Sequence, residues 1–209
     1  MFVKSVMVGK EKCYTVKMED SVQVGFDLLD NYTIDALPVV EGTEFKGIFT
    51  WYHAYRAFFY SGKTKAEFIS STKVSDVIVN QEVYLNINDV YEKALVKLAD
   101  FPIIAVVENN HFLGIVTRFD IVNQLQSAFG MNEPGYRITV TSVESEGRIG
   151  RLGEIIEKHK ESVISLVTFD ESNKMVRRIV LKVEKKGNID RFIKELEKSG
   201  FRVLDIAED

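Results

Sequence analysis

Two short segments hold the residues of this chain whose types and spacing could do chemistry. In the first, Thr117-Arg118-Phe119-Asp120, a hydroxyl and a carboxylate stand three positions apart where an apolar run passes into a helical pattern. At such a corner the hydroxyl and the free N–H groups of the first helical turn face the same way, which favours a phosphate. A carboxylate one turn deeper can accept from both hydroxyls of a ribose. The second segment, Thr50-Trp51-Tyr52-His53, keeps the hydroxyl but puts an imidazole where the carboxylate would be. Neutral imidazole offers one acceptor where a carboxylate offers several, so two-point binding of a ribose is lost, and Trp51 and Tyr52 add bulk.

Another reading stands beside this one. Thr-x-x-Asp is close to a capping box, in which both side chains only satisfy the start of a helix. Spacing alone favours the cap. The repeated context favours ribose binding by Asp120, and Thr117 can do both. We therefore expect two unequal sites, with only the one carrying Asp120 competent. A protonated His53 could pair with a phosphate from the neighbouring site, against the plainer reading of a partly buried histidine in a first turn. Arg118 could reach a phosphate, although an exposed arginine there is more often simply solvated.

Other chemistry is sparse. His53, His111 and His159 fall in unrelated contexts, with no paired spacing, no Ser/His/Asp set, no metal cluster and no P-loop. The single cysteine, Cys13, excludes an intrachain disulfide and lies on an expected strand, so it reads as core rather than nucleophile. We expect no catalysis, no required cofactor and no metal. Net charge is −4 and the pI about 5.6. That balance gives no basic footprint for nucleic acid. No apolar run approaches the ~20 residues of a membrane span, and the first residues lack a signal-peptide pattern. A cytoplasmic protein is the expectation.

The elements that position the two corners are duplicated. Gly47-Ile48-Phe49-Thr50 returns 67 residues later as Gly114-Ile115-Val116-Thr117, and Leu37-Pro38-Val39-Val40 lies over Ile104-Ala105-Val106-Val107. Such a repeat means two copies of one unit, stacked to bury what neither can bury alone. The first copy reads as a strand over 13–16, a helix with Val22, Phe26 and Leu29 on one face, strands over 36–40 and 45–49, and a helix over 51–60 closed by Gly62. The second repeats the order with strands over 83–85, 103–107 and 112–116 and helices from Asp89 and over 120–129. Val6-Met7 and Val77-Ile78 match upstream. Residues 132–135 read as a linker. Beyond it come strands over 137–141, 163–169, 176–183 and 201–206, a turn at Asp170-Glu171-Ser172-Asn173, and helices over 150–160 and from Asn188. This βαββαβ order is the ferredoxin-like arrangement. The fold class is mixed α+β, with repeats at 1–68 and 69–131 and a tail domain at 136–209.

Residues 51–60 hold six aromatic rings, more than one face of a small unit can hide. Rings in such excess are enriched at interfaces, so we expect a homodimer through this helix and its counterpart at 120–129, with packing against the tail as the plainer option.

On Val-Met before the first strand, Leu-Pro-Val-Val before the turn, and Gly-Ile-Val-Thr-x-x-Asp into the last helix, residues 1–130 resemble a tandem pair of CBS domains. The tail resembles an ACT domain, through its strand order and Gly150-Arg151-Leu152 opening its first helix. The combination is similar to acetoin-utilization-type regulatory proteins. The resemblance implies sensing rather than catalysis: an adenosine derivative (AMP, ADP, ATP or S-adenosylmethionine) held by Thr117 at phosphate and Asp120 at ribose. Adenine would lie near Val116 and the Val83-Tyr84 strand, and occupancy would be relayed to a protein target. It also implies an amino acid at the tail, near Arg148, Gly150, Arg151 and Leu152. Gly147 stands where that family usually has Asp. Arg148 and Arg151 could still bind a carboxylate, and a ligand-free dimerisation domain is the alternative there. For the whole chain the competing reading is a scaffold with vestigial pockets.

Overall fold

The computed structural model describes residues 2–143, 146–170, 176–186 and 189–208. The chain divides into two compact units, Met1–Val122 and Asn123–Asp209.

In the first unit, each copy is an apolar hairpin flanked by helices. The elements are β1 (Val8–Gly9), α1 (Val22–Tyr32), β2 (Ala36–Glu41), β3 (Glu44–Thr50), α2 (Trp51–Ser61) and α3 (Lys65–Ser71). The second copy supplies β4 (Tyr84–Leu85), α4 (Glu92–Lys97), β5 (Ile103–Glu108), β6 (His111–Thr117) and α5 (Arg118–Ala128), the last running across the division. The sheet order is β2-β3-β6-β5-β4, with β1 beside β6. The hairpins meet at their tips, where Thr43 Oγ1 and His111 Nδ1 are 2.8 Å apart and Glu44 pairs with His111.

Both faces of each hairpin are covered, which is why its strands read as continuous apolar runs. Leu37, Val39 and Phe49 face α1 and α2, while Ala36, Phe45 and Ile48 meet Ile103, Ala105 and Phe112 of the other copy. The copies also exchange their leading segments. Val3, fully buried, packs with Leu98, Ile104 and Val116 of copy two, and Val74 and Val77 pack with Val22 and Phe49 of copy one. Val8 pairs with Ile115 and Val79 with Ile48. Burying a valine is worth ~1.5–3 kcal/mol, so each copy's helical core depends on the other's leader.

This exchange explains the repeated glycine. Gly47 and Gly114 have φ of +148° and +155°; a Cβ on Gly114 would collide with the Val8 carbonyl, and one on Gly47 would sit 2.9 Å from Val79 O. The close approach that the glycine permits is therefore that of the partner copy's backbone.

The expected strand over 13–16 is reduced to a single bridge, Val16 to Val39; the sequence also offers Asp20 as a cap for the following helix, but α1 starts from Ser21 and Asp20 accepts the Lys17 N–H. α3 had no counterpart in the sequence reading, though its signal was present. Thr64 and Glu67 form a full capping box, with Thr64 N–H donating to Glu67 Oε2 at 2.9 Å and Glu67 N–H to Thr64 Oγ1 at 3.3 Å.

In the second unit, β7 (Tyr136–Val143), α6 (Arg148–His159), β8 (Val163–Asp170), β9 (Val176–Val183), α7 (Ile189–Lys198) and β10 (Arg202–Glu208) form an antiparallel sheet of order β10-β7-β9-β8. This is the split βαβ topology. Ile138, Val140, Ile179 and Leu181 face Leu152, Ile155, Phe192 and Leu196 of the helices. The opposite face carries residues 129–135: Lys182, 2% exposed, donates to Gly130 O at 3.0 Å and Ser165 Oγ to Phe129 O at 3.1 Å. Asn188 and residues 171–173 of the expected turn lie outside the described residues.

Candidate functional site

The two corners have the same local construction. Asp120 N–H donates to Thr117 Oγ1 at 3.1 Å, and His53 N–H donates to Thr50 Oγ1 at the same distance. The side chains three residues on differ. Asp120 Oδ2 accepts from Thr117 N–H at 2.8 Å and from Thr117 Oγ1 at 2.7 Å, closing a capping box. His53 Nδ1 lies 2.8 Å from Thr50 Oγ1, its ring stacked on Phe101 with centroids 5.9 Å apart. Burial, and after it the charge of Arg56, holds the imidazole below its ordinary value of 6.5. The cap reading thus holds at both corners. At Asp120 it uses one carboxylate oxygen, and Oδ1 makes no hydrogen bond among the described residues.

The helix-start amides are partly engaged: Arg118 N–H donates to Pro102 O at 3.1 Å and Asp120 N–H to Thr117 Oγ1. Arg118 itself closes the end of α4, with Nε on Leu98 O at 2.9 Å and Nη2 on Ala99 O at 3.1 Å. A cation on terminal carbonyls is favourable there, so this side chain has a structural task before any ligand arrives.

Thr117, Arg118 and Phe119 open onto a cleft of 480 Å³ between the two copies. Its far wall is Lys12, Cys13 and Tyr14 with Thr33 to Ala36, and its apolar floor is Pro38, Ile103 and Ile115. Lys12, Tyr14 and Asp35 escaped the sequence reading. Crossed leaders bring the first copy's segment to the second copy's corner, and no local pattern announces that. Val83 and Tyr84 do not line this cleft; Tyr84 pairs with Ala105, two strands from β6. The Val116 side chain points to the opposite face, fully buried among Leu98, Ile104 and Ile121. Cys13 is half-buried with its thiol pushed up to about 11, first by burial and then by Glu11, which makes it a poor nucleophile. Thr50, Trp51, Tyr52 and His53 line a smaller cleft of 290 Å³ with Asp100 and Phe101, and the two clefts share Asp35, Pro102 and Arg118.

In the second unit, Arg148 donates from Nε to Ser142 Oγ at 2.6 Å, from Nη1 to Ser199 O at 3.1 Å and from Nη2 to Gly200 O at 2.9 Å. Its guanidinium also lies 4.2 Å from the Phe201 ring centroid. It ties the end of α7 to β7. Arg151 pairs with Glu154 at 2.8 Å, Leu152 is core, and Gly150 faces open space. Among the described residues no group of His, Cys, Asp and Glu could hold a metal, and no helix is long and apolar enough to cross a membrane.

The family model described as CBS domain matches residues 3–60 and 74–127, more than half of the chain. The chain belongs to the CBS domain family, with two copies in tandem. The first unit's fold is that of a CBS domain-containing protein of unknown function from Bacillus anthracis, at 26% identity over 60% of this chain and 93% of that one, TM-score 0.54. It is also that of CBSX2 in complex with AMP (19%, 59% and 95%, 0.51). CbpB of Listeria monocytogenes in complex with c-di-AMP matches as well (22%, 58% and 92%, 0.52). No curated protein matches the sequence.

Proposed function

We propose that this protein is a non-catalytic sensor that binds one adenine nucleotide per chain in the cleft at Thr117. The observation that carries this is the meeting, in one cleft, of a cation from each copy, Lys12 and Arg118, with a helix start and an apolar floor. Phosphate falls to the cations and the Thr117 corner, the base to Tyr14, Ile34, Ile103 and Ile115, and ribose to Oδ1 of Asp120, which stands just past the lining residues Thr117 to Phe119 and is not itself in the cleft wall. At 480 Å³ the cleft is within the ~300–1,000 Å³ of small-molecule sites, whereas the His53 cleft at 290 Å³ falls just below. The complexes of CBSX2 with AMP and of CbpB with c-di-AMP support an adenine nucleotide as the ligand class.

Occupancy is relayed to a protein target through a difference in affinity between two arrangements of the chain. The βαββαβ topology of the second unit supports its reading as an ACT-like domain. Arg148 is committed to Ser142, Ser199 and Gly200, so an amino acid there would depend on Arg151 and on backbone groups near Gly150. A homodimer would cover the exposed rings of Tyr52, Phe59, Tyr60 and Phe119.

Calorimetry of the full chain with AMP tests the reading. One site is expected, weakened about tenfold or more by Asp120→Ala, since a hydrogen bond to a charged group is worth ~1.5–3 kcal/mol. His53→Ala should leave it unchanged. Two equal sites, or an unaffected Asp120→Ala, would overturn the assignment. Silence with AMP, ATP, S-adenosylmethionine and c-di-AMP alike would favour the scaffold.

A further inference from the structure

The first copy contains a further cavity, away from the Thr117 cleft. It has a volume of 190 Å³ and lies among α1, α2 and α3. Phe26, Trp51 and Tyr55 form one wall: Phe26 and Trp51 stack with centroids 4.6 Å apart and planes 12° off parallel, and Trp51 and Tyr55 at 5.3 Å and 12°. Phe58 and Phe68, 5.3 Å apart and tilted, form the other. Asp30 and Lys65 stand at the rim, both exposed, and neither has an ion pair or side-chain hydrogen bond among the described residues.

Two comparisons within the chain indicate that this is more than helix packing. Sixty-seven residues on, Trp51, Tyr55 and Phe58 are replaced by Arg118, Val122 and Leu125, and the same strand-to-helix corner forms without any of the three rings. The closing wall, Lys65 and Phe68, comes from α3, which lies between the two stretches matched by the family model. Residues 51, 55 and 58 form a helical stripe beside that of Tyr52 and Phe59, with Tyr55, 52% exposed, at its edge.

We propose that this cavity binds a small zwitterion with an apolar or aromatic body, the chemistry of a free hydrophobic amino acid. Lys65 takes the carboxylate. Asp30 takes the ammonium, with the faces of the nearby rings attracting the same charge. The rings sandwich the body. The volume is below the ~300–1,000 Å³ of sites for drug-sized ligands, so a nucleotide is excluded and a single amino acid is the right scale.

Trp51 is the only tryptophan in the chain, so its emission reports on this wall. It also lines the His53 cleft, so the test must separate the two. L-Phenylalanine should change Trp51 emission saturably in the full chain, with saturating AMP present or absent. Phenethylamine, which lacks the carboxylate, and 3-phenylpropionate, which lacks the ammonium, should each bind about tenfold or more weakly. Lys65→Met should abolish the preference for L-phenylalanine over phenethylamine, and Asp30→Asn that over 3-phenylpropionate. Both positions are exposed, and matching circular-dichroism melts would confirm an intact fold. The proposal is overturned by no saturable response, by an unaltered response in both variants, or by displacement with AMP, which would move the ligand to the cleft beside His53. The first two outcomes leave nucleotide binding at Thr117 untouched, which calorimetry reads separately.

Discussion

Thr50 and Thr117 occupy equivalent corners of two copies of one unit, and each hydroxyl accepts the N–H three residues on at 3.1 Å. Around that shared cap the corners diverge. Asp120 closes its box with one oxygen and keeps a second; His53 meets Thr50 through one ring nitrogen and stacks on Phe101. One corner opens onto the larger cleft with Lys12 opposite, the other onto the smaller one with Trp51 and Tyr52 in its wall. The lesson is that a helix cap and a ligand site are not alternatives. The hydroxyl is needed for the helix in both copies, so its presence says little about ligand. The residue three positions on carries the discrimination, because only a carboxylate can cap and still offer an acceptor.

The largest difference between the copies is expected at their glycines rather than their corners. Gly114→Ala drives a Cβ into the Val8 carbonyl, whereas in Gly47→Ala the contact with Val79 O is 2.9 Å. Both carry positive-φ strain, so both should destabilise, Gly114→Ala by several kcal/mol and Gly47→Ala by less, in denaturant unfolding. Equal effects would mean that the two crossed leaders are equally tight. Next in size, His53→Asp should recreate the carboxylate box at the first corner. If the side chain is what disarms that corner, AMP calorimetry should gain a second, weaker site; if the smaller cleft is what disarms it, the stoichiometry should stay at one.

The smallest effect expected is in pH dependence. The folded-state value of His53 lies below the ordinary 6.5, through burial and then Arg56, so the unfolded chain takes up this proton more readily. Its stabilising contribution is therefore present above about pH 6.5 and is lost as pH falls toward the folded value. Melting temperatures measured from pH 7.5 to 5.5 should fall less steeply for His53→Gln than for wild type, if only slightly, because the ring is only partly buried (the pH range brackets the ordinary histidine value). Identical slopes would remove His53 as a titrating element.

Much of the architecture was legible because it is written in local patterns. The duplicated corner, the apolar hairpins and the βαββαβ order of the second unit each follow from periodicity and turn residues that act over a few positions. α3 was legible too, through Thr64 and Glu67, but its seven residues carry little periodic signal of their own. The walls of the clefts were not. The resemblance set an adenine near Val116 and the Val83-Tyr84 strand, and the cleft onto which Thr117 opens is lined instead by Lys12, Cys13 and Tyr14.

What the amino-acid order determined by itself was the unit, its duplication, and the exchange of Asp for His at the third residue after the threonine. These are matters of hydrogen bonding and side-chain chemistry within one turn of helix. What only the tertiary structure decided was which copy's leader meets which corner, and that Arg118 and Arg148 first serve carbonyls at helix ends. Those choices depend on pairing segments distant in sequence, where burial of Val3, Val74 and Val77 in the opposite copy outweighs any local preference.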